Sequence, residues 1–195
     1  MKSVKNIAFI CTGIAAVLAV ASCDVKIVNA DYPSQKIYLP AAVESNIYTV
    51  DQANISTGST PTPGNPYQFL IDYDEGTFTI PFSVYRSGIN NDGAVNVDVW
   101  FDEELVYDAI LNGELADDVE VITSDILLED VPGNVVVQDG QSSAMFNVVL
   151  DYYYLLDRPD SQLAFGISID CDDRELNEDA SRLIVVIDTS IFNEL

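Results

Sequence analysis

The chain reads as an all-β protein: an immunoglobulin-like, two-sheet β-sandwich with one short helix, preceded by a cleaved signal peptide. Three observations lead there. Past residue 34 the apolar residues recur with a period of two in run after run. Gly, Asn, Asp and Pro punctuate those runs at short intervals, and the strand–helix–strand rhythm of a parallel sheet is absent. Many short half-buried strands in one domain-sized chain pack best as two sheets face to face.

The amino terminus follows a different logic. Lys2 and Lys5 form a basic n-region, and Ile7 to Val20 is an uncharged apolar stretch. Its length suits the core of a signal peptide and falls short of the ~20 residues that a spanning helix needs. Val20-Ala21-Ser22-Cys23 follows at once, the small-residue pattern of a lipobox, with Cys23 as the residue lipidated after cleavage. Residues 1–22 are therefore expected to be a lipoprotein signal peptide, 23–34 the lipidated cysteine and a tether, and 35–195 the β-sandwich domain. The anchor implies a membrane as partner, several acyl chains giving stable attachment where one would be marginal. The expected location is a bacterial cell envelope, at the outer membrane or cell surface.

Composition narrows the chemistry. Thirty-two acidic residues against eight basic ones give a formal charge of −24. Loss of Lys2 and Lys5 with the signal makes the exported part more negative still. Phosphates are held by Lys and Arg, so this charge argues against nucleic acid as a partner. Histidine is absent, which removes Ser-His-Asp triads and Cys–His catalysis. Of three cysteines, Cys11 leaves with the signal, Cys23 is committed to lipid and Cys171 remains alone. The mature chain then has neither a disulfide nor a cysteine metal site. Cys171 closes the run Leu163, Phe165, Ile167, Ile169, which places it on the apolar face of a strand as a buried, inert thiol. No cofactor is expected.

Taken in order, residues 35–39 and 46–50 are short extended runs. Asp51–Pro66, rich in Ser, Thr, Gly and Pro, reads as a long surface loop. Tyr67–Tyr73 is a strand that turns at 72–76. Phe78, Ile80, Phe82 and Val84 alternate with Thr77, Thr79, Pro81 and Ser83, the pattern of a half-buried strand. After a turn at 87–93, Val95, Val97, Val99 and Phe101 share one face, while Asn96, Asp98 and Trp100 share the other. Asp102–Leu111 has acids in its first turn, apolar residues at helical spacing and Asn112-Gly113 beyond, and is expected to be the one helix of the domain. Further strands are expected at 134–138, 144–153, 163–170 and 182–188, with the acidic stretch 172–180 as a loop. Leu183–Ile187 is apolar on both faces and belongs in the middle of a sheet. Antiparallel pairing is expected.

The order of these segments resembles a known family. After the lipobox come Lys36-Ile-Tyr-Leu-Pro-Ala-Ala42, Phe78-Thr-Ile-Pro-Phe-Ser-Val-Tyr-Arg-Ser-Gly88 and Val95-Asn-Val-Asp-Val99. Asp125-Ile-Leu-Leu-Glu-Asp130, the Val135–Ala144 hairpin and Leu163-Ala-Phe-Gly-Ile-Ser-Ile169 follow. Together they resemble the Bacteroidota surface-lipoprotein domain known as domain-of-unknown-function family 1735, over roughly residues 35–190. The resemblance implies an immunoglobulin-like sandwich of the kind that precedes lectin-like or glycan-processing modules in polysaccharide-capture systems. It carries no catalytic or binding residues with it.

Several constellations are candidates for a site. Trp100 stands with Asn96 and Asp98, and an indole beside amide and carboxylate groups suits a sugar ring. The alternative is an indole that caps the rim of the core at a strand end. Tyr152-Tyr153-Tyr154 is a second platform, with Tyr152 turned in beside Phe146, Val148 and Leu150 and Tyr153 turned out, or else strand-end packing. Asp170, Asp172 and Asp173, and separately Asp72, Asp74 and Glu75, supply the oxygen ligands that Ca²⁺ prefers, without EF-hand spacing. Carboxylate pairs ~5–9 Å apart also serve glycosidases, but among 32 acids no pair stands out. The expected function is a non-enzymatic binding or presentation module for polysaccharide or another surface protein. Two other classes stay open: a fimbria-like assembly component offering a sheet edge, and a carboxylate-based glycoside hydrolase.

Overall fold

The computed structural model describes residues 34–50, the backbone of 55–57, and 69–193. The expected signal peptide, Cys23 and all of the tether but Ser34 lie outside the described residues. In chain order the strands are β1 (Lys36–Tyr38), β2 (Ile47–Thr49), β3 (Ile55–Thr57), β4 (Phe69–Asp72), β5 (Thr77–Arg86), β6 (Val95–Phe101) and β7 (Glu120–Val121). They continue as β8 (Leu127–Glu129), β9 (Asn134–Val137), β10 (Ser143–Asp151), β11 (Gln162–Asp170), β12 (Glu175–Leu176) and β13 (Arg182–Asp188). Two helices accompany them, α1 (Glu103–Leu111) and α2 (Tyr152–Leu156).

The strands make a two-sheet sandwich. One sheet runs β12-β1-β5-β10-β8, with β4 also on β5 and β3 on β4; the other runs β2-β13-β11-β6-β9, with β7 on β11. β5 lies beside β10, β6 beside β11, and β11 beside β13, which are the B–E, C–F and F–G neighbours of an immunoglobulin-like sandwich. The alternation read from the sequence decides which side chains meet. Phe78, Ile80, Phe82 and Val84 face Val95, Val97 and Val99 and the inner residues of β11 and β13 in one buried cluster. Phe82 stacks on Phe146 (ring centroids 5.7 Å apart) and meets Phe165 edge-on at 6.3 Å, joining the sheets through aromatic contacts.

β13 is central, as its two apolar faces require: it pairs with β2 on one side and β11 on the other. Leu183, Val185 and Ile187 belong to the inter-sheet core, whereas Ile184 and Val186 are buried outside it with Val106, Ala109 and Ala164. α1 supplies that cover. Asp102 caps it by accepting from Leu105 N at 3.3 Å, and Glu103 and Glu104 favour its positive end. Gly166 lets the helix sit close: a Cβ there would lie 2.2 Å from the carbonyl oxygen of Asp102.

Four expectations need correction. The domain has a second helix, because the Asp151 carboxylate accepts from Tyr153 N (2.9 Å) and Tyr154 N (3.2 Å) and starts α2 where a continued strand was expected. The 51–66 loop contains β3, which runs parallel to β4. Pairing is not uniformly antiparallel, since β1–β12, β7–β11 and β2–β13 are parallel as well. The acidic 172–180 stretch is not a plain loop: it carries β12 and a 3-10 turn at Glu178–Ala180.

Arg86 is 1% exposed and has no carboxylate partner. Its guanidinium instead donates to backbone carbonyls of Asn91, Asp92, Gly93, Gln138 and Gln141, at 2.5–3.4 Å. A lysine offers a point charge with three donors and cannot reach this fan of acceptors. Arg86→Lys is expected to lower the unfolding free energy by about 2–4 kcal/mol, since each buried carbonyl left bare costs ~1–3 kcal/mol. Urea denaturation of the variant should show a lower midpoint at unchanged slope; an unchanged midpoint would refute the assignment.

Candidate functional site

The outer face of the six-stranded sheet is only half covered. α1 lies over Ala164, Gly166, Ile184 and Val186; beyond it Asn96, Asp98 and Trp100 of β6, Asn134 of β9 and Asp170 of β11 meet solvent. Strand alternation puts Asn96, Asp98 and Trp100 on this open part, and all three are exposed. Trp100 is 43% exposed, on the face turned away from the inter-sheet core.

Register supplies the neighbours. Trp100 stands opposite Ser168, Asp98 opposite Asp170 on β11 and Asn134 on β9, and Asn96 opposite Val136. Directly opposed carboxylates on adjacent strands, with Cβ atoms ~4.5–5.5 Å apart, work against the sheet. Asp98 and Asp170 form such a pair two residues along from the indole. Ser168 is buried, and its hydroxyl donates to the Asp102 carboxylate.

The acceptors are held in place. Asn134 Nδ2 donates to Asp98 at 3.2 Å, and Cys171 N donates to Asp170 at 2.8 Å. Asp173 accepts from both the backbone N–H (2.8 Å) and the side-chain amide (2.9 Å) of Asn96. Those two bonds, the backbone one first, hold the Asp173 carboxyl below the usual range. Each group that is tied by one atom keeps another free: Asn96 its amide oxygen, and the aspartates further lone pairs. The result is an exposed indole beside a row of oriented acceptors, suited to hydroxyl donors. It is an open, solvent-facing arrangement.

Other candidates are placed elsewhere. Tyr152 is buried and Tyr153 57% exposed, the pattern expected of them, but a helical turn produces it. The Tyr153 ring lies against Gly76 in the β4–β5 turn, and its hydroxyl donates to Tyr73 O at 3.3 Å, so it is not brought together with Trp100. The acidic sets proposed for Ca²⁺ do not converge. Among the described residues no group of three or more carboxylates could hold a metal ion. Asp72 is spent on the N–H groups of Asp74 and Glu75, both at 3.0 Å. Asp170 and Asp173 serve Cys171 and Asn96, and Asp172 is exposed. Cys171 is buried, its thiol donating to Asn96 O at 3.3 Å, and burial pushes its pKa up. Among the described residues no helix is long and apolar enough to cross a membrane.

Sequence reasoning missed Asn134, and it assigned Asp170 to a metal instead of to this face. The alternation of β11 marks Asp170 as outward, but nothing local reveals which strand lies beside it.

No family model matches the sequence, and no curated relative does. Solved structures do share the fold. A candidate carbohydrate-binding protein from Bacteroides ovatus aligns with TM-score 0.51 and 10% identity, over 78% of this chain and 36% of that one. A two-domain Bacteroides fragilis protein of unknown function aligns with TM-score 0.51 and 12% identity, over 80% and 45%. A multidomain Bacteroides ovatus protein that includes domain-of-unknown-function family 1735 aligns with TM-score 0.45 and 9% identity, over 78% and 43%. The chain spans less than half the length of each. At these identities the likeness shows the fold alone.

The Asn96–Asp173 bonds can be tested in solution. An NMR pH titration is expected to place the Asp173 carboxyl below the ~3.9 of a free aspartate. Stability drawn from these bonds is present above that ordinary value and is lost as pH falls through the depressed one. Asn96→Ala should raise the midpoint, although a backbone bond remains. A midpoint at the ordinary value in the unmodified protein would show that the bonds do not form.

Proposed function

We propose that the chain is a non-enzymatic glycan-binding or presentation module, anchored by lipid at Cys23 to a bacterial cell envelope. The observation that carries the binding part is the exposed indole of Trp100 beside acceptors already tied in place. A sugar ring offers C–H groups to an aromatic face and hydroxyl donors to carboxylate and amide oxygens. Fixed acceptors lose little rotamer freedom on binding, which lowers the ordering cost of a weak, open site. The fold that the chain shares with a candidate carbohydrate-binding protein supports this reading, and so does its resemblance to family 1735. The lipobox at Val20–Cys23 supports the anchor.

The assembly reading has one structural feature to draw on. β9 ends the six-stranded sheet, and a groove of about 500 Å³ runs between it and β10. Glu129 and Asp130 line that groove from beside the edge, and charges at an edge resist strand addition. Glycan binding is therefore the reading favoured.

Trp100 is the single tryptophan of the chain, so intrinsic emission reports on one side chain. Titration with soluble plant and bacterial polysaccharides is expected to quench or blue-shift that emission for at least one of them. Affinity-gel retardation by the same polysaccharide should weaken at least tenfold in Trp100→Ala, equivalent to ~1.4 kcal/mol. Retardation that is equal in variant and parent removes Trp100 from the site.

Cys23→Ser tests the anchor separately. The variant should incorporate no radiolabelled palmitate and should leave the membrane fraction of the expressing bacterium. If it stays membrane-bound and labelled, the lipobox assignment is wrong.

A further inference from the structure

Beside the open face lies a cavity, and apart from Asn46 its polar side chains have no partner within the fold. It measures about 260 Å³ and sits between α1 and the β2–β13 side of the six-stranded sheet. Its floor is apolar, made by Leu105, Ala109 and Ile184. Around the rim stand Arg182, Asp108, Asn112 and Glu114, all exposed.

Arg182 is the informative residue. Among the described residues the other cations are all engaged. Lys36 pairs with Glu175 at 2.9 Å and Arg158 with Glu120 at 3.2 Å. Arg174 donates to Gln35 and to backbone carbonyls, and Arg86 is buried in its cage. Only the Arg182 side chain has neither an ion pair nor a hydrogen bond, although two carboxylates line the same cavity. The side chains of Asp108, Asn112 and Glu114 likewise make no hydrogen bond within the protein. Four polar groups of mixed character thus surround one apolar floor with none of them satisfied internally.

The mixture selects the ligand. An anion would gain Arg182 but face Asp108, Glu114 and a chain of charge −24. A cation would meet the guanidinium. A neutral hydroxyl both donates and accepts, so it can bridge carboxylate and guanidinium, and a ring bearing several can satisfy all four groups. Its C–H face would lie on Leu105 and Ile184. Cavities for drug-sized ligands run to ~300–1,000 Å³, so this one holds a single ring.

Position links the cavity to the indole. Arg182 stands opposite Ser168, and Ser168 opposite Trp100, one row across three adjacent strands. Two interstrand steps of ~4.8 Å separate them on the same outer face. We infer that the Arg182 cavity is a socket for one neutral sugar residue, the end of a glycan whose next residues lie toward Trp100. This inference rests on the glycan-binding reading and adds the ligand class and the end that is recognised.

The test uses NMR of the ¹⁵N-labelled protein, titrated with glucose, galactose and mannose, and with glucuronate and glucosamine as the charged arms. At least one neutral hexose is expected to shift the Asn112 side-chain amide and the Arg182 Nε–H signals. The affinity should fall at least tenfold in Arg182→Ala, an exposed and unpartnered position whose loss leaves the fold intact by circular dichroism. Trp100→Ala should keep the shift. No response to any neutral hexose, or a response to glucuronate or glucosamine alone, overturns the socket. Polysaccharide retention lost in Trp100→Ala but unchanged in Arg182→Ala overturns the socket too, and leaves the broader glycan-binding reading standing.

Discussion

The buried guanidinium of Arg86 is the constraint on which the open face depends. It sits at the end of β5 in the seven-stranded sheet, yet all its partners belong to two turns: 91–93, which leads into β6, and 138–141, which joins β9 to β10. One side chain thereby fixes where the chain crosses between sheets and where it returns. β6 and β9 are antiparallel neighbours whose register, Asp98 against Asn134 and Asn96 against Val136, composes the face around Trp100. A buried charge is tolerable only when every N–H is met. Five carbonyls do this without a carboxylate, and the carbonyls are themselves satisfied. The turns and the arginine are each unfavourable alone and stable together.

α1 divides the outer face into two chemistries. Where it lies, the sheet beneath must be apolar and flat, and Ala164, Gly166, Ile184 and Val186 meet that demand. Gly166 is the contact that sets the distance, because no side chain fits between β11 and the start of the helix. Immediately past this cover the outward positions become Ser168, Asp170 and Arg182 on the same strands. The change from apolar to polar falls where the helix cover ends, so the strands encode both a core and a surface along one face.

Much of this was legible in the sequence, and what was legible was local. Alternation identified β5 and β6 nearly to the residue, and runs of apolar residues on both faces marked β11 and β13 as buried strands. Alternation also placed Trp100, Asn96 and Asp98 outward together. Where a capping residue competes with alternation, the reading failed: Asp151 turns the Tyr152–Tyr154 run into a helix although both conformations bury Tyr152. The two-residue strands β7 and β12 have no period to detect. Parallel pairings, the Arg86 cage and the Arg182 cavity join segments far apart in the chain, and no local pattern announces them.

The face is also where the chain departs from what stability alone would select. Elsewhere several acidic side chains have structural tasks: Asp102 and Asp151 cap helices, Asp72 closes a turn, and Glu175 and Glu120 pair with cations. Asp98 opposite Asp170 has no such task between its members, and like charges set across a strand pair cost the sheet free energy. An exposed indole beside them buries little apolar area. Neither feature is needed to hold the sandwich, since the Asn134 and Cys171 bonds that orient the two aspartates concern rotamers more than strand pairing. Features that weaken a fold and yet are held rigid are characteristic of sites. That combination, more than the likeness of the fold to other proteins, is the physical case for placing binding on this face.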